Sequence, residues 1–282
     1  MSEPVEIESK KIEVISQPYE YFDAQVSFAK KISEITGETL EKSMLEYTDL
    51  YNSLTNKEYG KEEEEGKYTP LWTTYMEKIK DEDTTEGISK ITYGLFLEQE
   101  YSKVVISNEE KEETNRFGCF KIDYGDYNRE REQIRLHFTP ERRDLLKGEY
   151  EEKHGDLSTK YLPERREEFK NMARYIHDHM DLFEGAKYLK SSTWLQNIPN
   201  YQSFFPSKYV LEENRVKKGK NFLGLWGQFV KWDLTGNVEV LNKFKENLEK
   251  ATTLDEAIDA FPYPVYEIQV PLEELFEMYG CT

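Results

Sequence analysis

Cysteine is scarce in this chain. Its two residues, Cys119 and Cys281, stand far apart in a sequence of 282. A disulfide framework needs several pairs in an oxidising compartment, so the sequence predicts a reducing one, the cytoplasm. Long apolar runs are also missing. Crossing a bilayer takes roughly 18 apolar residues. The richest stretch, Phe222 to Val230, is interrupted by Gly224, Gly227 and Gln228, so no membrane is expected as a partner. The opening residues MSEPVEIESK lack the basic start and apolar stretch of a secretory signal.

Positive charge is in deficit, with 38 basic residues against 56 acidic ones and a net charge of −18. Nonspecific binding to nucleic acid rests on a basic surface, so nucleic acid is not expected as a partner. The phosphate-binding GxxxxGK, the dinucleotide GxGxxG and the nucleophile-elbow GxSxG are all absent. Their absence removes the commonest nucleotidase, dinucleotide-enzyme and hydrolase signatures and leaves other enzyme classes open.

What is present is material for a core. Aromatic residues make up 14% of the chain, with 20 Tyr and 15 Phe, which excludes a disordered acidic tail. The segment KIEVIS alternates as an edge strand. Tyr21, Phe28, Ile32 and Ile35 follow at helical spacing, and Gly37 stops that helix. Leu40, Met44, Tyr47, Tyr51 and Leu54 form a second helical stripe, predicting an antiparallel helical pair. The acidic segment NKEYGKEEEEGK reads as an exposed loop, and Thr69-Pro70 as the start of a third helix.

From about residue 88 the pattern turns β-rich: ITYGLFLEQEY, RFGCFKIDYG and EQIRLHF, the last two forming a hairpin across Gly125 to Arg131. Thr139-Pro140 opens a helix ending near Gly155. A further helix carries Phe169, Met172, Ala173, Ile176, Met180 and Phe183 on one face. AKYLKSST reads as a strand, WLQNIPNYQSFFPSKYV as a helix broken by prolines, and NFLGLWGQFVKW as a strand or hairpin entry turned at Gly236-Asn237. Leu241, Phe244, Leu248 and Ala251 mark another helix, YPVYEIQVP a last strand, and Leu272 to Tyr279 a terminal helix. The order predicts a single α+β domain over residues 1–282 with a mostly antiparallel central sheet flanked by helices. Residues 19–85 can form an N-terminal helical subdomain and 86–282 the sheet-containing core.

Five places draw attention for chemistry. The run His177-Asp178-His179-Met180-Asp181 resembles a metal-binding pattern, but on a helix the two histidines point about 200° apart. His177 and Asp181 are expected to pair instead, and no metal site is expected. Arg135 and His137 share one face of a strand, an arrangement suited to holding an anion or to general-base work; the plainer alternative is an exposed strand face. Cys119 lies in a predicted strand with no neighbouring cation to stabilise a thiolate, so it reads as a buried apolar residue. Trp194, Asn197 and Tyr201 stand at a strand-to-helix junction, where ligands often bind, although core packing and capping explain them too. Gly227, between Trp226 and Phe229, suggests a close backbone approach.

Several of these segments together resemble a family of uncharacterised bacterial proteins: FGCF (117–120), RLHF (135–138), TWLQNIPNYQSFFP (193–206), LWGQF (225–229) and FPYPVYEIQVP (261–271), with EYTDLY (46–51). Here Gln202-Ser203 replaces an arginine pair of that pattern and Gln196 a tyrosine. The order of elements is also similar to that of GNAT-type N-acetyltransferases. That likeness implies a fold cradling acyl-CoA at the loop His154 to Ser158, with Gly155 and Ser158 among the cofactor contacts. It further implies an Asn after the fifth strand, matched by Asn197, with Trp194 beside it. The family's Q/R-x-x-G-x-G/A loop is absent. The tyrosine seven residues past the Asn is replaced by Phe204, while Tyr201 stands one turn away.

The leading expectation is therefore an acyltransferase moving an acyl group from acyl-CoA to a cationic amine. His137 or Glu98 would be the base, and Asn197 or Tyr201 would meet the leaving thiolate. The alternative is a non-catalytic binding protein on the same fold, meeting a protein partner through the Tyr-rich helices at 40–55 and 68–80. A hydrolase with residues converging from distant segments stands third.

Overall fold

The computed structural model describes residues 11–57, 68–107, 115–141, 155–218 and 222–281. KIEVIS gives the edge strand β1 (Lys11–Ile15). It leads into α1 (Tyr19–Thr36), which buries Tyr21, Phe22, Val26, Phe28 and Ile32 and stops at Gly37, a left-handed residue with φ 74°. The second stripe, expected as one helix, is two: α2 (Leu40–Tyr47) and α3 (Leu50–Thr55). The break falls where Asp49 docks on α1. Its carboxylate accepts the Tyr21 hydroxyl at 2.7 Å, and its backbone N–H donates to Gln25 Oε1 at 2.6 Å. These partners on the neighbouring helix displace the local ladder. The acidic loop expected before the next helix lies, from residue 58 to 67, outside the described residues. α4 (Pro70–Ile79) starts as expected, with the Thr69 side chain accepting the Trp72 N–H.

The segment expected as a first β-rich run is a helix, α5 (Thr85–Leu97). Thr84 caps it by accepting the Gly87 N–H at 3.0 Å. Ile88, Ser89, Thr92, Leu95 and Phe96 are buried at helical spacing against α1, with Phe22 and Phe96 ring centroids 4.8 Å apart. Its β-branched and aromatic content favours a strand only weakly, and tertiary burial overrides that preference. β2 (Lys103–Ser107) then returns to pair antiparallel with β1.

β3 (Arg116–Phe117) and β4 (Phe120–Asp123) enclose a tight turn at Gly118-Cys119, so Cys119 sits in a turn rather than in a strand. β4 pairs antiparallel with β5 (Gln133–Phe138), the expected hairpin. Its connection holds a one-turn helix, α6 (Asp126–Arg129). The helix expected after Thr139-Pro140 falls mostly on residues 142–154, outside the described residues. α7 (Leu162–Asp178) buries Phe169, Met172, Ala173 and Ile176; Met180 and Phe183 lie beyond its end. It carries the chain to β6 (Tyr188–Thr193), which lies parallel to β5. A parallel neighbour requires such a crossover.

The proline-broken stretch forms α8 (Pro199–Gln202) and α9 (Ser207–Val210), followed by β7 (Val216–Lys218). NFLGLWGQFVKW, expected as a strand, is instead α10 (Phe222–Leu225) and a 3₁₀ turn over Trp226–Phe229. Leu225, Trp226 and Phe229 all face inward, an i, i+1, i+4 set that a strand would split between two faces. Asn237 caps α11 (Val238–Lys250), and α12 (Leu254–Asp259) opens on a reciprocal Thr253–Glu256 capping box. β8 (Val265–Pro271) and α13 (Leu272–Tyr279) end the described chain as expected.

The larger sheet runs β3-β4-β5-β6-β8-β7, and among the described residues only β5–β6 is parallel. The protein is thus α+β with a mostly antiparallel sheet. Two apolar clusters hold it together. One joins α1 to α5 with Trp226, Phe229, Phe244, Phe261 and Val265, so the helical unit does not close at residue 85 but recruits the chain from 225 to 265. The other lies between the sheet and α7, α8 and α13, centred on Phe120, Phe169 and Phe204. Trp194 packs against both. Its indole Nε1 lies 3.1 Å from where a Cβ on Gly227 would stand, the close approach the sequence suggests.

The rings of the Tyr-rich helices divide: Tyr68 is 39% exposed and Tyr47 half-buried. Tyr51, Trp72 and Tyr75 point into the first cluster and are 2% exposed or less. Among the described residues, no helix is long and apolar enough to cross a membrane.

Candidate functional site

The sheet changes character at its one parallel junction. β5 and β6 are in register from Gln133↔Tyr188 to Leu136↔Ser191, and there the pairing stops. Both strands continue, to Phe138 and Thr193, held only by their outer neighbours through Phe120↔Phe138 and Thr193↔Tyr266. Between His137-Phe138 and Ser192-Thr193 the sheet thus has a gap in its pairing, a cleft between the two strand ends beside which the Phe138 ring packs on Tyr201 and Trp232. The Thr139 N–H donates toward β4, to the Cys119 carbonyl at 2.8 Å. By strand alternation the Phe138 N–H faces the other way, into the cleft.

Alternation and register also assemble the polar face beside this cleft. One row across the sheet runs Asp123, Arg135, Lys190 and Gln269; the next runs Lys121, His137, the cleft, Ser192 and Glu267. Arg135 and His137 thus share a face, as the sequence predicts, and both are half-buried. Burial lowers the His137 pKa from its ordinary 6.5 and Arg135 lowers it further; Asp123 pulls it the other way, and Lys121 adds a smaller lowering. His137 is therefore a neutral imidazole at pH 7 that makes no hydrogen bond within the described residues. Lys190 and Glu267 pair at 2.9 Å farther along the face. A cavity of about 510 Å³ adjoins them, lined by Lys208, Tyr209, Asn214, Val216, Glu267 and Gln269.

The other expected site residues fall elsewhere. Tyr201 is on the opposite face of the sheet, 1% exposed, with its hydroxyl 3.1 Å from Ser191 Oγ. Burial pushes its pKa far up, so it cannot exchange a proton readily with a ligand on the polar face. Gln196 completes that buried group by donating to Ser191 Oγ at 3.3 Å. The Asn197 side chain donates to the carbonyls of Trp194 at 2.6 Å and Pro264 at 2.8 Å, tying the end of β6 to the segment before β8. Its amide N–H groups are thereby used. Gly155 and Ser158 are buried in the turn before α7, whose Leu157 carbonyl accepts from Asn200. Glu98 is exposed at the end of α5, in the helical part of the molecule, and does not join His137. His177 pairs with Asp178 at 2.9 Å rather than with Asp181, and His179 stacks on Tyr175.

One buried charged group escaped sequence reading. Arg165, 2% exposed, reaches Glu164 at 2.7 Å, Glu168 at 3.0 Å and Glu141 at 3.5 Å, and donates to Cys119 Sγ at 2.5 Å. The only local hint is Glu168 one helical turn from Arg165; Cys119 is 46 residues away. The three carboxylates lie within 4.8 Å of one another, and Arg165 supplies the positive charge they need. Glu168 also accepts the Cys119 N–H at 3.0 Å, across Gly118. Gly118 has φ 58°, and a Cβ there would stand 1.9 Å from the Glu168 carboxylate, so the turn requires glycine on both counts. Cys119 thus has the neighbouring cation that the sequence does not announce; burial nevertheless pushes its thiol well up, Asp156 adding to this and Arg165 opposing it, and Cys119 is fully buried in the turn.

Burial raises the Glu168 pKa from 4.5 to about 7, against the pull of Arg165. The folded chain therefore binds this proton more tightly than the unfolded chain. The resulting stability is complete below the ordinary carboxylate value and is lost as pH rises toward 7. Thermal unfolding followed from about pH 5 to pH 8 is expected to show Tm falling with pH, and Glu168→Gln is expected to remove that part of the fall. A constant Tm difference between the two proteins across the window contradicts it.

Comparison with protein-family models, with curated proteins and with solved structures finds no match to this chain.

Proposed function

We propose that the protein binds an acyl thioester in the cleft between β5 and β6 and transfers the acyl group to an amine. The observation that carries this reading is the parting of the single parallel strand pair beside a neutral, unpartnered His137. The resemblance implies three antiparallel strands, a helix, a strand, a helix and further strands; the β4–β5 hairpin, α7, β6 and the later strands support this reading, while the first of the three expected strands is the helix α5.

The chemistry asks for three things. As the amine nitrogen attacks the thioester carbon, it must lose a proton, and His137 is an unprotonated imidazole at the cleft edge. The carbonyl oxygen gains negative charge, and the Phe138 N–H is aimed into the opening. When the C–S bond breaks, the thiolate takes up a proton, which protonated His137 can return. Tyr201 has no part in this scheme, because it is sealed on the other face.

The test is a thermal-shift titration with acetyl-CoA, followed by release of free thiol in the presence of amines. A ligand at 100 times its Kd stabilises the folded state by about 2.7 kcal/mol. For a chain of this size that is a rise of roughly 5 °C or more. No rise and no thiol release with any acyl-CoA would defeat the proposal.

A second reading, a binding protein without catalysis, is favoured by the acid-rich start of α7. Glu141, Asp156, Glu164 and Glu168 gather there, where the resemblance would seat the anionic diphosphate of acyl-CoA. No rise in Tm with any acyl-CoA would select this reading.

A further inference from the structure

The charge around His137 is opposite to that of the chain. At −18 the protein as a whole attracts cations. Yet the neighbours of His137 on its own face of the sheet are Lys121 across from it on β4, Arg135 on its own strand, and Lys190 beside Arg135 on β6. The two acids among them are engaged. Asp123 accepts the Gly125 N–H at 3.0 Å and Asn128 Nδ2 at 2.8 Å, and Glu267 pairs with Lys190. Arg135 has no such partner. It is half-buried between its neighbours and makes no hydrogen bond or ion pair within the described residues. A guanidinium partly withdrawn from water presents five donors in a planar fork that matches a carboxylate.

We propose that the amine accepting the acyl group carries a carboxylate, which Arg135 holds while His137 takes the amine proton. The acceptor is then an amino acid or a similar small amino carboxylic acid, not the polyamine-like cation that overall charge suggests. This inference rests on the acyl-transfer reading of the cleft. Spacing supports it as well as charge. Residues i and i+2 of a strand lie about 7 Å apart. Two hydrogen bonds and a one- or two-carbon link between amino and acid groups bridge that span.

The experiment follows the His137 imidazole by NMR in the full-length protein during titration with each free amino acid, with spermidine, and with acetyl-CoA. At least one amino acid is expected to raise the His137 midpoint by about one pH unit, because an anion held nearby favours the imidazolium. Arg135→Gln is expected to weaken that amino acid's binding tenfold or more at unchanged Tm, and Arg135→Lys to restore part of it. Acetyl-CoA affinity is expected to be the same in all three proteins.

The proposal is overturned if no amino acid moves His137, if the response survives in Arg135→Gln, or if spermidine binds there instead. It is also overturned if Arg135→Gln loses acetyl-CoA, since the guanidinium would then serve the donor's phosphates. Acetyl-CoA binding without an amino-acid response sinks only this inference. Absence of acetyl-CoA binding from the wild-type protein sinks the acyl-transfer reading itself.

Discussion

Arg165→Met is expected to lower the stability of the folded protein by about 3–5 kcal/mol, the usual cost of removing one partner from a buried ion cluster. The guanidinium reaches Glu141, Glu164 and Glu168, and its own side chain is 3% exposed. Without it, Glu168, with 15% of its side chain exposed, loses the ion pair that holds it. Methionine fills much of the volume, so lost packing is a minor part of the change. Glu168 is also the acceptor of the Cys119 N–H, and its displacement would loosen the turn between β3 and β4. At 2–4 °C per kcal/mol for a chain of this size, Tm should fall by roughly 10 °C. Adding Glu168→Gln to Arg165→Met should recover part of the loss, because glutamine spares the folded state the proton uptake that a buried Glu168 without its ion pair needs at neutral pH. Denaturant unfolding measures both. A loss below about 1 kcal/mol, or no recovery in the double variant, would mean that water reaches the cluster and that Arg165 does not hold it.

The second large effect is on catalysis. His137→Gln is expected to cut the rate of acyl transfer by about 10²–10⁴-fold, the usual contribution of a positioned general base. Glutamine keeps the polar character of the strand face, so the stability change should stay within about 0.5 kcal/mol. Acetyl-CoA affinity should not move, since the base acts on the acceptor. The pH profile separates this role from a merely structural one. Burial, Arg135 and Lys121 hold the His137 midpoint below 6.5. The wild-type rate should therefore climb with pH through a midpoint under that value, and the climb should vanish in the variant. A variant that retains the wild-type rate and inflection would show that another group takes the proton.

These expectations draw on parts of the molecule that the sequence reveals to different degrees. The helices α1, α4, α7, α11 and α13 are legible because each carries a stripe at intervals of three and four. Thr69-Pro70 and Gly37 mark ends of α4 and α1 by local backbone chemistry alone. The hairpin of β4 and β5 and the last strand β8 are legible through alternation and turn residues. The pairing of Arg135 with His137 on one strand face follows from the same period of two. It is the part of the site that sequence reasoning found.

Other segments mislead for physical reasons. ITYGLFLEQEY is rich in residues that suit strands, but α1 offers its apolar side a groove, and a helix buries Ile88, Thr92, Leu95 and Phe96 together. Thr92 is accommodated there because its hydroxyl bonds the Ile88 carbonyl at 2.7 Å and lies 2.9 Å from the Tyr75 hydroxyl. The stripe through Leu40 to Leu54 looks continuous, yet Asp49 at its middle, half-buried, caps the next turn through Asn52 and Ser53 and ties it to Tyr21 and Gln25 on α1. Tyr201 and Asn197 are in the right stretch of sequence for a ligand site. They are consumed by Ser191 and by the carbonyls of Trp194 and Pro264, contacts that no spacing rule announces.

By itself the sequence determined the class of the protein: mixed helices and strands, a largely antiparallel sheet, the placement of caps and stops, and the strand that bears Arg135 and His137. These are properties of periods and of single residues, which act over one or two turns of chain. Only the tertiary structure decided the rest. It placed β8 between β6 and β7, opened β5 from β6 after Leu136, and brought Arg165 to Cys119. It turned Tyr51, Trp72 and Tyr75 inward, and it set Lys245 against Asp23 across 222 residues of chain. Such contacts depend on which distant surfaces bury each other best. That competition is settled by the whole chain at once, because no local segment gains enough from burial to settle it alone.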